Sequence, residues 1–285
     1  VVDNGDGTLT AKPDYGDAKP VFENVYGAEA VYATLAGTKK LQADKGLTPA
    51  DIAGKFTFTV TGEEGAPMPA NASVTNDAEG KVDFGKITFT LDDLNKALGE
   101  KPEKREHTFT YTVTESGEVA GVTNDAKPSR TVSFTVTDDG EGNLRVSRKP
   151  DGNVAFTFTN TYSVTPVETR VTDQITATKF LTGRDLKEGE FSFKLVEGEG
   201  EAAKVVATGT NGADGTITMS PVKYDKAGTH TYTLREVNGG TTSKGVKYDE
   251  KTYAIVTTIT DKGDGTLEAK HELKGAEDVQ SIKFE

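Results

Sequence analysis

The chain has 285 residues, enough for two domains of ordinary size that each bury a core. Its 33 Lys+Arg against 45 Asp+Glu give a net charge of -12, which disfavours attraction to nucleic acid or to an anionic membrane surface. There is no cysteine, so disulfides, thiolate metal sites and cysteine nucleophiles are excluded together, and no run approaches the roughly eighteen apolar residues of a membrane span.

The chain opens on Val1 with no signal-peptide pattern, and an internal piece of a longer protein is expected. An acidic, glycine-rich phrase comes first, Asp3 to Leu9 (DNGDGTL), followed by Val21 to Tyr26 (VFENVY). A strand from Val31 to Leu41 and a helical turn at Thr48 to Ile52 precede the strand Lys55 to Val60 (KFTFTV). Thr90 to Gly99 has an N-cap, early acidic residues and a terminal glycine, which predict a short connecting helix. The strands Phe109 to Glu115 and Thr131 to Thr137 follow, and then the phrase returns as Asp138 to Leu144 (DDGEGNL), with Phe156 to Tyr162 (FTFTNTY) behind it. In the second half come the strands Ile175 to Leu181, Tyr232 to Glu236 and Tyr253 to Thr260, the third phrase Asp261 to Leu267 (DKGDGTL), and the end Lys283-Phe284-Glu285.

Copies of one phrase more than a hundred residues apart imply repeated domains. The phrase lacks the alternating ligands of an EF-hand calcium loop, so it is read as a hairpin turn, which Asp-Gly favours. The expected division is 1–27, the tail of a preceding repeat; 28–164, a complete β-sandwich; and 165–285, a second sandwich. The ending Lys283-Phe284-Glu285 parallels Val21-Phe22-Glu23 before Asn24, so the second domain is expected to stop just before a recurrent Asn.

Residues two apart on a strand share a face, which makes misplaced polar residues visible. Lys39 shares its face with Val31, Ala33, Leu35 and Leu41, whereas Lys40 faces out; Lys179 shares one with Ile175, Ala177 and Leu181. Glu115 lies with Phe109, Tyr111 and Val113, and Glu236 with Tyr232 and Leu234. Asn160 lies with Val154, Phe156, Phe158 and Tyr162, and Asn24 with Phe22 and Tyr26. Burying an ionised Lys or Glu costs several kcal/mol unless it is paired or neutralised. One reading is a buried Lys–Glu ion pair capped by a hydrogen-bonding Asn, with no covalent change. In the other, burial lowers the Lys pKa and raises that of the Glu, and the neutral amine attacks the Asn carbonyl while the protonated Glu assists and ammonia leaves.

The segments Thr178-Lys179-Phe180-Leu181-Thr182-Gly183, Tyr232 to Glu236 (YTLRE) and Phe158 to Tyr162 (FTNTY) resemble the streptococcal-type pilin isopeptide-linkage domain, a relative of the collagen-adhesin B-type fold. The resemblance covers nearly the whole chain. It implies an all-β chain of tandem inverse-Ig-like sandwiches, each locked by a Lys–Asn bond formed autocatalytically near a Glu. Carried over by motif, the first domain has Lys39, Glu115 and Asn160; the second has Lys179 and Glu236, an unreacted pair unless another chain supplies Asn24. The implied role is a cell-wall-anchored surface stalk or pilus shaft of a Gram-positive bacterium, with no cofactor and no metal. Expected partners are neighbouring repeats, with sortase-linked pilin subunits or a host ligand engaged through other parts of the protein. Neither a sortase-linked lysine motif nor an LPxTG-like signal occurs, which points to a stalk of many repeats.

A carbohydrate- or protein-binding sandwich is the alternative, its ligand held by the loops around Gly62 to Asn76 and Gly198 to Gly215, although no Trp is present to stack on a sugar. A glycosidase would need a carboxylate pair, and Asp92-Asp93 and Glu63-Glu64 read instead as a helix start and a loop. His107, His230 and His271 show no metal spacing, so no turnover enzyme is expected.

Overall fold

The computed structural model describes residues 1–16, 21–44, 46–99, 104–150, 155–198, 203–275 and 280–285. β-Branched and aromatic residues alternating with polar ones build two hydrophobic cores, one drawn from Leu35 to Phe158 and the other from Val171 to Phe284. The first core lies between two sheets. One sheet runs, in order, Leu144–Lys149, Ser129–Asp138, Glu106–Ser116, Thr57–Gly62 and Ser73–Thr75; the other runs Lys81–Phe89, Val31–Gln42, Thr157–Tyr162 and Val122–Thr123. The chain is all-β with short helical connections, as expected. Pro49–Ile52 is a single 3-10 turn, and Leu91–Leu98 is an α-helix whose Thr90 side chain caps the Asp93 amide.

The second core has a six-stranded sheet in the order Ile217–Met219, Lys204–Asn211, Ser192–Glu197, Gly228–Glu236, Thr252–Asp261 and Leu267–Leu273. Opposite it lie shorter pairs, Thr176–Lys179 with Ser281–Phe284 and Val167–Thr169 with Val222–Tyr224. The expected loop at Gly198 to Gly215 is largely strand, because Val205 and Ala207 extend the sheet beside Ser192–Glu197; residues 199–202 lie outside the described residues. Likewise Ser73–Thr75, within the other expected loop, pairs with Thr57–Thr59.

In both halves the first and last core strands are parallel neighbours. Phe158 pairs with Lys39 and Asn160 with Leu41; in the second half Phe284 pairs with Lys179. All three acidic phrases close antiparallel hairpins, in which Asp3 faces Leu9, Asp138 faces Leu144 and Asp261 faces Leu267. The segment Val21 to Tyr26 differs from expectation. It forms no strand, and Phe22 is 92% exposed, because none of the described strands pairs with it.

Candidate functional site

Strand alternation carries Lys39, Glu115, Asn160, Lys179 and Glu236 into the two cores, as the face pattern requires; each is at most 7% exposed, while Lys40 faces solvent. Val154 lies outside the described residues. In the first core Lys39 Nζ makes a direct ionic contact with Glu115 Oε1, and its aliphatic end sits over the Phe56 ring, with Nζ 4.3 Å from the centroid. Apart from that mutual contact, neither Lys39 Nζ nor Glu115 Oε1 has a hydrogen-bond partner among the described residues. An ammonium with a single carboxylate contact for its three donors in a dry core is costly. Desolvation accordingly pulls the Lys39 amine below its usual range and pushes the Glu115 carboxyl above its own, with the mutual attraction opposing both shifts.

Asn160 completes the group from the neighbouring strand, its side chain close enough to Glu115 to favour that carboxyl's ionised form. Its Oδ1 accepts the Asp125 backbone N–H at 2.9 Å, and its Nδ2 donates to Asn124 Oδ1 at 3.1 Å. The Asp125 carboxylate in turn accepts from the Thr159 N–H at 2.8 Å and from Arg130 at 2.7 Å. This grip holds the closing strand at the residue just before Asn160.

The second core repeats the arrangement around a different set of bonds. Lys179 Nζ donates to Glu236 Oε2 at 3.1 Å and lies 4.3 Å from the Phe191 centroid. The Asp249 backbone N–H donates to the same Glu236 oxygen at 2.9 Å, and the Asp249 carboxylate accepts from the Glu285 N–H at 2.7 Å. Desolvation raises the Glu236 carboxyl above the usual carboxylate range, against the pull of Lys179 and Asp249 N–H. Asn24 is not brought to either lysine: it is exposed on the unpaired segment before Tyr26.

Sequence reasoning missed the residues that aim each lysine. Asn76 and Asn211 are buried; their side chains accept from the Phe56 and Phe191 N–H groups and donate to Ile52 O and Lys187 O, which places each ring against its lysine. Four residues on, Gly80 O and Gly215 O accept the Lys39 and Lys179 N–H groups at 2.6 and 2.7 Å. Both glycines have positive φ, and a Cβ would stand 2.2 Å from Lys39 O or 2.4 Å from Lys179 O. A repeated Asn-x-x-x-Gly phrase, Asn76 to Gly80 and Asn211 to Gly215, was the available signal.

Two cores, each with parallel first and last strands and a buried Lys on the first strand paired with a Glu of the facing sheet, define the class: a tandem β-sandwich with a buried Lys–Glu pair in each core. The chain belongs to the family of Spy0128-like isopeptide containing domains (FctA), which it matches over residues 35–163 and 175–285. Among solved structures it is similar to the major pilin protein T-13 of Streptococcus pyogenes, at 17% identity and a TM-score of 0.26, covering 90% of this chain and 97% of that one. A mutant of the major pilin of Streptococcus pyogenes is 16% identical with a TM-score of 0.27 over 88% and 97% of the two chains. A C-terminal fragment of the pilus adhesin SpaC from Lactobacillus rhamnosus GG is 14% identical with a TM-score of 0.23 over 88% and 95%. No curated protein matches the chain.

Proposed function

We propose that residues 28–164 form a self-locking sandwich in which Lys39 and Asn160 join through an amide, and that the chain serves as mechanically resistant shaft or stalk domains on a Gram-positive cell surface. The observation that carries this is the convergence of three side chains in one dry core: Lys39 and Asn160 stand on neighbouring parallel strands, and Glu115 meets Lys39 from the opposite sheet. The neutral Lys39 amine adds to Asn160 Cγ. The developing oxyanion at Oδ1 is met by the Asp125 N–H, and protonated Glu115 donates to the departing nitrogen. A proton lost from Nζ returns to Glu115, so an amine and a carboxamide become a secondary amide plus one ammonia, in a single turnover. The Asp125 carboxylate acts as a positioning group by fixing the strand that carries Asn160.

Because Val31–Gln42 and Thr157–Tyr162 are parallel neighbours, tension entering at one and leaving at the other shears them apart, and a covalent bridge carries that load directly. Residues 165–285 are the second such domain, with Lys179 and Glu236 as its amine and acid; among the described residues no Asn side chain meets that pair. Membership of the isopeptide-containing domain family favours a pilus or surface-fibre role over a soluble ligand-binding one. Intact mass spectrometry tests the reading. The expected result is a mass one ammonia below that of the sequence, with a Lys39–Asn160 branched peptide after digestion. The full sequence mass would leave the buried ion pair alone.

A further inference from the structure

The three acidic hairpin turns, which the cross-linking chemistry does not use, share the pattern Asp-x-Gly-x-Gly, and two of them hold a tyrosine from a distant part of the chain. Tyr162, the last residue of the strand that closes the first sandwich, donates its hydroxyl to Asp261 Oδ1 at 2.6 Å and accepts the Gly265 N–H at 3.2 Å. Tyr26 does the same one repeat earlier, donating to Asp138 Oδ1 at 2.7 Å and accepting the Gly142 N–H at 3.0 Å. Each aspartate is pre-set by its own turn, since Asp261 Oδ1 also accepts Gly263 N–H at 2.8 Å and Asp138 Oδ1 accepts Gly140 N–H at 3.0 Å. The third turn has the same internal bond, Gly5 N–H to Asp3 Oδ1 at 2.9 Å.

The match extends past the hydroxyl. Three residues after each tyrosine the chain forms a parallel bridge with the residue five beyond the aspartate, Glu29 with Asn143 and Thr165 with Thr266. At the second of these joints the body of the first sandwich also closes on the turn. Ser163 N–H donates to Gly121 O at 2.9 Å, Thr165 N–H donates to Gly265 O at 2.8 Å, and a Cβ on Gly265 would stand 2.6 Å from the Gly121 Cα. Gly46, with φ of +93°, passes so near that a Cβ there would meet Asp261 Oδ2 at 2.3 Å. Tyr162 is 5% exposed in this setting, against 46% for Tyr26.

We propose that the Asp-x-Gly-x-Gly turn is the receptor of a joint between successive sandwiches: it captures the phenol of the closing-strand tyrosine of the repeat before it and fixes the angle between the two. The glycines serve the joint in two ways. Gly142 and Gly265 supply the N–H that the phenol oxygen accepts, and the missing side chain at Gly265 lets the two backbones meet. The joint therefore couples a strand that carries load in one sandwich to the neighbouring one without a flexible linker, and it does not depend on the Lys39–Asn160 amide.

Because the chain has no cysteine, spin labels can be placed cleanly at Ala78→Cys and Ala213→Cys, exposed sites in the first and second halves. In the full chain, double electron–electron resonance is expected to give one narrow distance, and Tyr162→Phe, which removes only the hydroxyl, is expected to broaden it. Loss of a hydrogen bond to a carboxylate implies a rise on the order of tenfold in the opened population. Asp261→Ala, which removes the acceptor, should broaden the distance similarly. An unchanged narrow distance in both variants, with both sandwiches still melting cooperatively, overturns the joint. The ammonia deficit in intact mass should persist in Tyr162→Phe, so failure of the joint and failure of the cross-link are read on different instruments.

Discussion

The two sandwiches present the same buried pair with a different third partner, and the contrast shows what the Asn changes. In the second core the Asp249 N–H joins Lys179 on Glu236 Oε2, so the carboxylate is held by two donors. In the first, the matching N–H of Asp125 turns to Asn160 Oδ1 instead, and among the described residues Glu115 is met by Lys39 and the Asn160 side chain alone. One backbone donor thus supports an ion pair in one setting and polarises a carbonyl in the other. On the proposed reading, the Lys–Glu pair alone is a resting arrangement and the Asn is what makes it reactive.

The largest expected effect comes from removing the acid. Glu115→Ala should restore the full sequence mass and destabilise the first sandwich further, since an unpaired buried lysine costs about 3–5 kcal/mol beyond the lost bond. Calorimetry of the variant against wild type checks this, and an unchanged ammonia deficit would remove Glu115 from the reaction. Asn160→Ala should leave the Lys39–Glu115 pair in place and lose the cross-link together with the hydrogen bonds to the Asp125 N–H and Asn124. In the chain-entropy model, closing a loop of more than a hundred residues is worth about 4.7 kcal/mol, visible as a lower denaturant midpoint.

The comparison sharpens in the second sandwich, where among the described residues no Asn side chain meets the pair. The double replacement Lys179→Met/Glu236→Leu should be neutral or stabilising by about 1–4 kcal/mol, because a buried ion pair often does no better than apolar side chains of similar volume. The same double replacement at Lys39 and Glu115 should destabilise. Equal responses in the two halves, measured by chemical denaturation, would contradict the distinction drawn between them.

The smallest effect concerns pH and is confined to the second sandwich. His271 is buried between Thr169 and Thr257, its hydroxyl neighbours 3.1 and 2.8 Å away, with Gln174 and Asp173 nearby. Burial pushes the imidazole below its usual range, against a weaker pull from Asp173. A base with a depressed folded pKa binds fewer protons when folded, so its stabilising contribution is present above the unfolded value and is lost as pH falls below it. The second melting transition should therefore drop between pH 7 and pH 5 while the first does not follow it, and His271→Asn should flatten that dependence.

Much of the site was legible because β-strand alternation is a two-residue period that any sequence displays. Lys39, Glu115, Lys179, Glu236 and Asn160 each stood on a face otherwise apolar, and that face is buried. The third partner in the sandwich, Asp125, was not legible: it lies in the connection after Val122–Thr123, where no period applies and side chains are placed by backbone hydrogen bonds. Asn76 and Gly80 escaped for the same reason, although their repeat at Asn211 and Gly215 was there to be seen.

The sequence by itself determined the all-β class, the hairpin at each acidic turn and which charged residues point inward, because these follow from local turn chemistry and strand periodicity. Only the tertiary structure decided that the first and last strands are parallel neighbours, that Asp125 N–H reaches Asn160, and that Tyr162 seats on Asp261. Those contacts join residues far apart in the chain, and their partners are selected by how the sheets close and stack, which no local pattern encodes.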